Sequence, residues 1–489
     1  MADYKHGAYG LINTAGTKAA AKSQNAIVYV GTAPVQTTAD GADNVNKPIL
    51  VSNMAEARKA FGYSDDWGKY TLCEAMYTHF ENGGVGPLVL INVLDPQKKK
   101  AAQGGTKSLT PENGQVVLTD MEDAILSSIT VKGKTAGTDY AMAYDQRRKT
   151  VTIAEKTDGA LGTEALEITF DLVDAGKVDE ADVIGETDGA GLNTGLYAIA
   201  NVYQETGKIP SFLLAPGFSS LEAVHKAMQS VSQKVNGHWD VYLMCDLPIV
   251  DGEGEAVTLA TAAAWKKKHG YTGENETVYF PMAEGTDGRK YHIATLAAAN
   301  LQKLLVEQDG IPYKTASNTD CTIIANLYLG EDKRGRVYDD RMINETLCKN
   351  GIASSVYTGG RWAIWGCHSA DYNQDDSDEI NVSETNRMML YYISNDFQHR
   401  RSRNADKPMT KNDIESIVAE EKARLDALIK IGALTYGTVS LNASEDAKSD
   451  IMKGDYTFAF EVTTTPLAKS LTALVNWTDE GFTTYYAES

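Results

Sequence analysis

The sequence predicts a multidomain α/β plus α+β protein. Its expected parts are a parallel-type α/β core sheet, an all-β inserted domain, a C-terminal α+β domain, and extended N- and C-terminal strand arms. Three observations carry that prediction. Strand-length apolar runs alternate with helical stripes on either side of residues 104–196, as strands joined by crossover helices do. Residues 104–196 replace that alternation with short β-type runs broken by Gly, Asp and Lys turns. Both ends of the chain carry strand-like sequence with no local partner, which either frays or pairs with a sheet elsewhere.

Taken in order, residues 1–25 form the expected N-terminal arm, rich in Ala, Gly, Lys and Thr, with AYGLINT (Ala8–Thr14) alternating like a short strand. Residues 26–103 open the core. IVYVGTAP is a buried-type strand ending in a Gly/Pro turn, Met54–Phe61 and Leu72–Phe80 are helical, and VGPLVLINVLDP holds the next strand. Residues 104–196 follow as the insert: VVLT, ITVKG, DYAMAYD, KTVTIAE and EALEITFDLV are strand candidates, with no convincing helix among them.

The core resumes over residues 197–370. FLLAPG is a strand, and Leu221–Val235 the helix after it, with Ser219 and Glu222 at capping-box spacing and Gly237 as its stop. Leu221, Val224, Met228, Val231 and Val235 form its apolar stripe. DVYLMCDLP, the helix Val257–Lys268, the strand TVYFPMAE and the helix Tyr291–Glu307 complete three β–α units. Such a series predicts a largely parallel sheet covered on both faces.

Residues 371–465 read as α+β. Lys407-Pro408 introduces a long helix with Thr410 as N-cap and Asp413 three residues on, and Gly432 ends it. Ile414, Ile417, Val418, Leu425, Leu428 and Ile429 make one face. YGTVSLN and YTFAFEVTTTP are strands, and residues 466–489 add the strand-like LTALVNWT and FTTYYAES as a C-terminal arm.

Composition narrows the function. The 489 residues include 46 basic and 66 acidic side chains, a net charge of −20 with a pI near 4.9. A field of that sign disfavours DNA and anionic membrane as partners. No run approaches the ~20 apolar residues of a membrane-spanning helix, and MADYKHGAYG lacks the basic and apolar regions of a secretory signal. Cys73, Cys245, Cys321, Cys348 and Cys367 are scattered with no C-x₂-C spacing, so reduced structural thiols made in a cytosol are expected. The charge is uneven: residues 104–196 hold 8 basic and 17 acidic side chains, so under a fifth of the chain carries −9. A solvated, outward-facing module is the simplest reading.

Catalytic signatures are missing. There is no G-x-S-x-G elbow, Walker A loop or H-E-x-x-H. GAGLNTG (Gly189–Gly195) is one residue too long for a dinucleotide fingerprint and follows no strand, so it reads as a turn. Cys367-His368 are adjacent and diverge in a strand, the pairs Asp375/Asp376 and Asp378/Glu379 sit in a polar loop, and Ser317-Asn318 has no histidine near in sequence. No catalytic, metal or cofactor site is assigned. One stretch opposes the global charge: Gln398–Lys407 carries Arg400, Arg401, Arg403 and Lys407 against Asp406. It reads as a solvated loop or as an electrostatic contact with an acidic surface.

An ordered set of segments resembles the contractile tail sheath proteins of bacteriophages, phage-tail-like bacteriocins and injection systems. It comprises HGAYGLINT, YVGTAP, KPILVSNMAEARKAFGYSDD, YTLCEAMYTHFENGGVGPLVLINVLDP, TDYAMAYD, IPSFLLAPGFSS, YKTASNTD, LCKNGIASSVYTGGRWAIWGCHSADY and NRMMLYYISNDF. No one segment is diagnostic; their order along nearly the whole chain is. The resemblance implies an outward β-rich insert, a C-terminal domain nearest an inner tail tube, and arms that add strands to neighbouring subunits. It implies hexameric rings of this chain stacked around the tube, with baseplate and tail terminator proteins at the ends and no direct nucleic acid or membrane contact. Such a sheath shortens to drive the tube through a target envelope, within a virion or tail-like particle assembled in the bacterial cytoplasm.

On that resemblance the arm residues are Ala8, Tyr9, Gly10, Leu11 and Ile12 at one end, with Leu474, Val475, Trp477, Phe482 and Tyr485 at the other. Residues 1–30 carry a net +2 and residues 466–489 a net −2. Arg400, Arg401, Arg403 and Lys407, or the helix after them, are expected to face the tube. The competing readings are an α/β hydrolase or transferase with a β-rich accessory domain, and a tube or capsid component.

Overall fold

The structure, a computed structural model, describes residues 24–39, 41–330, 338–375, 378–442 and 445–482. The chain divides into two compact units, residues 1–406 and 407–489. It is mixed α/β with several sheets.

The first unit begins with β1 (Asn25–Gly31), β2 (Pro48–Val51), α1 (Met54–Phe61), α2 (Leu72–Met76), a π-helical turn over Tyr77–Asn82 and β3 (Leu88–Asn92). Every residue of β3 is buried, as is β1 beyond Asn25; a run that hides both faces belongs in the middle of a covered sheet. Asn53 starts α1 by accepting from Glu56 N, and Gly62, at φ 75°, ends it.

The insert contributes β4 (Gly105–Leu109), β5 (Gln115–Leu118), β6 (Thr130–Val131), β7 (Tyr140–Asp145), β8 (Thr150–Glu155) and β9 (Leu166–Phe170). They form two antiparallel sheets, β4-β9-β6 and β5-β8-β7. A separate core of Leu118, Tyr140, Val151, Ile153, Ile168 and Phe170 lies within the module. Two expectations need correction here. The β character ends at Phe170, and α3 (Glu180–Ile184) follows, started by a capping box between Asp179 and Asp182. Val173, Ala175, Val183 and Leu196 bury in the main core rather than the insert's, so their apolar side chains return the chain to the core well before residue 196.

The core then adds α4 (Val202–Thr206), β10 (Ile209–Leu214), α5 (Glu222–Val231), β11 (Tyr242–Asp246), α6 (Ala262–Lys268), β12 (Glu276–Tyr279), β13 (Met282–Gly285), β14 (Lys290–His292) and α7 (Ile293–Glu307). After these come β15 (Ile324–Tyr328), α8 (Asp340–Thr346), β16 (Ile352–Thr358), β17 (Arg361–Trp365) and α9 (Glu384–Arg401). The eight-stranded sheet runs β17-β16-β12-β11-β10-β1-β3-β2. Its six inner strands are parallel, and β17 and β2 pair antiparallel at the edges.

Local chemistry moved three boundaries. The strand expected over TVYFPMAE is two strands in different sheets, divided at Pro281, which has no N–H to continue a ladder. Helix α5 starts at Glu222 without a side-chain cap and ends at Val231. Ser219 does not cap it, because its hydroxyl accepts from Asp246 N at 3.1 Å. Helix α9 belongs to the first unit rather than to a C-terminal domain beginning at 371. Met388 buries in the main core, and the Asn395 amide exchanges two hydrogen bonds with the Asp240 backbone, 3.0 and 2.8 Å.

The second unit holds α10 (Lys411–Lys430), β18 (Leu434–Leu441), α11 (Glu445–Lys453) and β19 (Phe458–Thr464). Thr410 and Asp413 form the capping box that their spacing predicts, and Gly432 follows the helix at φ 79°. Ile417, Leu425 and Leu428 bury, joined by Glu421 on the same stripe. Strands β18 and β19 pair antiparallel as a two-stranded sheet. Gly437 lies under α10, where a Cβ would come 3.1 Å from that of Leu425. The β-rich tail is thus interrupted by α11. Residues 465–478, including the LTALVNWT segment, form no strand in their own chain.

Candidate functional site

The C-terminal ends of parallel strands are where α/β folds place chemistry, and buried polar groups do gather beneath the helices. Glu74 on α2 accepts from His292 twice, from its backbone N at 2.6 Å and its Nδ1 at 2.7 Å. Burial alone lowers the His292 pKa, but the carboxylates of Glu74 and Asp246 overcome it and hold the imidazole at about 9. Asp246, the last residue of β11, accepts from Ala294 N at the start of α7, 3.0 Å. Burial pushes its carboxyl up to about 6 against the opposing His292 charge. Glu384, the first residue of α9, accepts hydroxyl donors from Thr277 and Thr315 at 2.7 and 2.6 Å, and burial raises its pKa. Tyr29 and His79 share a 2.8 Å hydrogen bond in the core, where burial holds the imidazole neutral, near 3.

His225, Cys245 and Glu276 bring potential metal-ligand atoms within 4.8 Å of one another, all buried. The donor set fits a metal poorly. His225 Nε2 is already 2.6 Å from Glu276 Oε2, its ring stacks on Tyr271 at 3.8 Å, and Glu276 Oε1 accepts from Gly273 N at 2.7 Å. Burial raises the Cys245 thiol well above its ordinary value, as apolar surroundings do for a buried structural cysteine. These clusters fasten strands to helices. Sequence reasoning passed over them because their partners are far apart, 218 residues for Glu74 and His292. His225 carried the one local signal, lying between Val224 and Met228 on the buried stripe of α5.

The candidates from sequence take structural places. His368 stacks on Tyr372 at 3.7 Å and bonds the Val382 carbonyl. Ser317 Oγ accepts from Gly366 N at 3.0 Å. Gly189–Gly195 is a bridged loop whose Gly195 N donates to Asn46 Oδ1 at 2.9 Å. Asp378 precedes a short 3-10 turn, and Asp376 lies outside the described residues.

The basic run is not one loop. Arg400 and Arg401 end α9, where cations offset the negative end of the helix dipole, and Arg400 Nε holds Asp396 Oδ2 at 2.9 Å. Arg403 sits in the 3-10 turn after it, and Arg403 and Lys407 are exposed. Of the arm residues, Leu474, Val475, Trp477 and Phe482 are 85, 88, 87 and 69% exposed. Ala8, Tyr9, Gly10, Leu11, Ile12 and Tyr485 lie outside the described residues. Among the described residues, no helix is long and apolar enough to cross a membrane.

No protein-family profile matches the chain. It is 22% identical to the tail sheath protein of Burkholderia phage BcepMu over 513 residues, covering 98% of each chain. Among solved structures it is similar to a chain of the anti-feeding prophage baseplate, with a TM-score of 0.56 at 12% identity, over 97% of this chain and 100% of that one. It is also similar to a chain of the PVC sheath complex, an extracellular contractile injection system in its contracted state. There the TM-score is 0.55 at 11% identity, over 98% of this chain and 99% of the other. At those identities the structural likeness is one of fold.

Proposed function

We propose that this chain is a contractile tail sheath protein: a structural subunit, not an enzyme, that polymerises as stacked hexameric rings around an inner tail tube. Contraction of that sheath drives the tube through a target envelope, and baseplate and terminator proteins bound its ends. The tail of a phage or of a tail-like particle, assembled in the bacterial cytoplasm, is its place of action.

The observation that carries this reading is in the second unit. Strands β18 and β19, packed under α10, pair only with each other among the described residues. Beside them in sequence, residues 465–478 are assigned to no strand or helix and are rich in apolar side chains, with Leu471 91% exposed. The segment of one copy adds as a strand to a sheet of the next, gaining main-chain hydrogen bonds and burying alternate side chains. Ala8–Ile12 supply the second arm. Such links hold subunits together while their bodies rotate between two packings. In the basic run, Arg403 and Lys407 are the cations that reach toward the tube.

Removal of residues 466–489, or of residues 1–20, is expected to abolish rings and tubes while leaving a folded monomer. Charge reversal at Arg403 and Lys407 is expected to prevent assembly on the inner tube. Unaltered assembly of the reversed protein on the tube would remove the tube-contact claim.

A further inference from the structure

The first unit has an aromatic groove that the sheath reading leaves without an occupant. Its volume is about 700 Å³, and its lining includes Tyr203, His238, Trp239, His399 and Arg401, a size in the range of about 300–1,000 Å³ typical of ligand-sized clefts. Three elements build it. Helix α4 supplies Tyr203, the turn after α5 supplies His238 and Trp239, and the last turn of α9 supplies His399 and Arg401. The rings brace one another: Tyr203 lies 5.1 Å from Trp239 and 6.1 Å from His399, and His238 lies 5.8 Å from Trp239. The paired hydrogen bonds between Asn395 and the Asp240 backbone lock α9 to the turn, which fixes His399 one helical turn further on. The groove is therefore preformed, its floor is apolar, and its α9 wall is cationic, with Arg403 two residues beyond Arg401.

The C-terminal segment has the opposite chemistry. Trp477 and Phe482 are 87 and 69% exposed, and Asp479 and Glu480 lie between them. Phe482 N donates to Asp479 O at 2.9 Å, and Glu480 N to Thr478 Oγ1 at 3.2 Å, so the acidic pair sits where the chain enters a helical turn, with Trp477 before it and Phe482 after it in sequence. We propose that the groove of one copy receives the Trp477–Phe482 turn of a second copy. The aromatic rings seat on Trp239 and Tyr203, and the carboxylates of Asp479 and Glu480 face Arg401 on the groove's α9 wall. Both rings are exposed, and the charge of the segment complements the groove's cationic wall, so a second copy of this chain is the occupant proposed. Aromatic anchors in a desolvated pocket supply most of such an interface's affinity, and the charges set its orientation. This inference rests on the sheath reading, to which it adds a second anchor at the far end of the arm.

The test uses the full-length protein and a fluorescein-labelled peptide of residues 471–482. Saturable anisotropy is expected. Exchange of Asp479 and Glu480 for Lys in the peptide should weaken binding at least about tenfold, as should Trp239→Ala or Arg401→Glu in the protein. Raising salt from about 0.05 to 0.5 M should weaken it several-fold. The charge-exchanged peptide needs no protein variant to fold. No binding of the wild-type peptide, or equal binding of the charge-exchanged one, overturns the proposal. Negative-stain images of the same sample separate the two readings. The peptide is titrated at a dilution where such images show unassembled protein: no binding there, with tubes on concentration, refutes the groove and leaves the sheath, whereas binding with no rings or tubes at any concentration leaves the groove and refutes the sheath.

Discussion

At the scale of single residues, the core holds its charge in a few buried pairs, and their pKa values make pH predictions. The Asp246 carboxyl is held at about 6, above its ordinary 3.8, chiefly by burial. A raised acid pKa means that the folded state holds the proton more tightly than the unfolded one. The associated stability is present below pH 3.8 and lost as pH rises through 6. Asp246→Asn keeps an acceptor for Ala294 N and cannot ionise. It should match the wild type near pH 4 and exceed it above pH 6 by on the order of 1–3 kcal/mol, read as a melting-temperature gap that opens with pH. His292 acts in the opposite pH range. Its pKa is raised to about 9 from 6.5, so its contribution is full below 6.5 and lost as pH climbs through 9. The His225–Glu276 pair has both side chains fully buried. His225→Ala should cost about 3–5 kcal/mol in urea unfolding, because it strands a buried carboxylate. A loss below about 1 kcal/mol would mean that water replaces the ring.

At the scale of elements, Thr410→Ala removes a cap whose hydroxyl accepts from Asp413 N. It should destabilise α10 by about 1 kcal/mol, seen as faster hydrogen exchange of the first-turn amides while the amides of β1 and β3 stay protected. This helix was legible because capping box, apolar stripe and terminal glycine agree. Strands β1 and β3 were legible because nearly uninterrupted apolar runs have one home, the middle of a covered sheet. What was not legible came from distant competition. Ser219 has the spacing of a cap, yet a strand amide 27 residues on takes its hydroxyl. Glu421 falls on the buried face of α10, where no rule of periodicity puts a carboxylate. Residues 173–196 have the acidic composition of the insert, but their few apolar side chains decide where they pack. The basic run looked like a loop because polar residues hide a helix end.

At the scale of the whole molecule, no catalytic centre was legible in the sequence, and the buried clusters of the structure serve packing. Of the segments that carry the proposed function, residues 465–478 form no strand in their own chain. Alternating apolar residues in LTALVNWT mark a strand, but the sheet that the proposal assigns to it lies in another copy, beyond what one chain's pattern records. The most direct measurement is negative-stain electron microscopy of the purified full-length protein beside a chain lacking residues 466–489. Rings and tubes from the full chain, and only folded monomers from the shortened one, are the predicted result. Dispersed monomers from both, or tubes of equal abundance from both, would contradict the account.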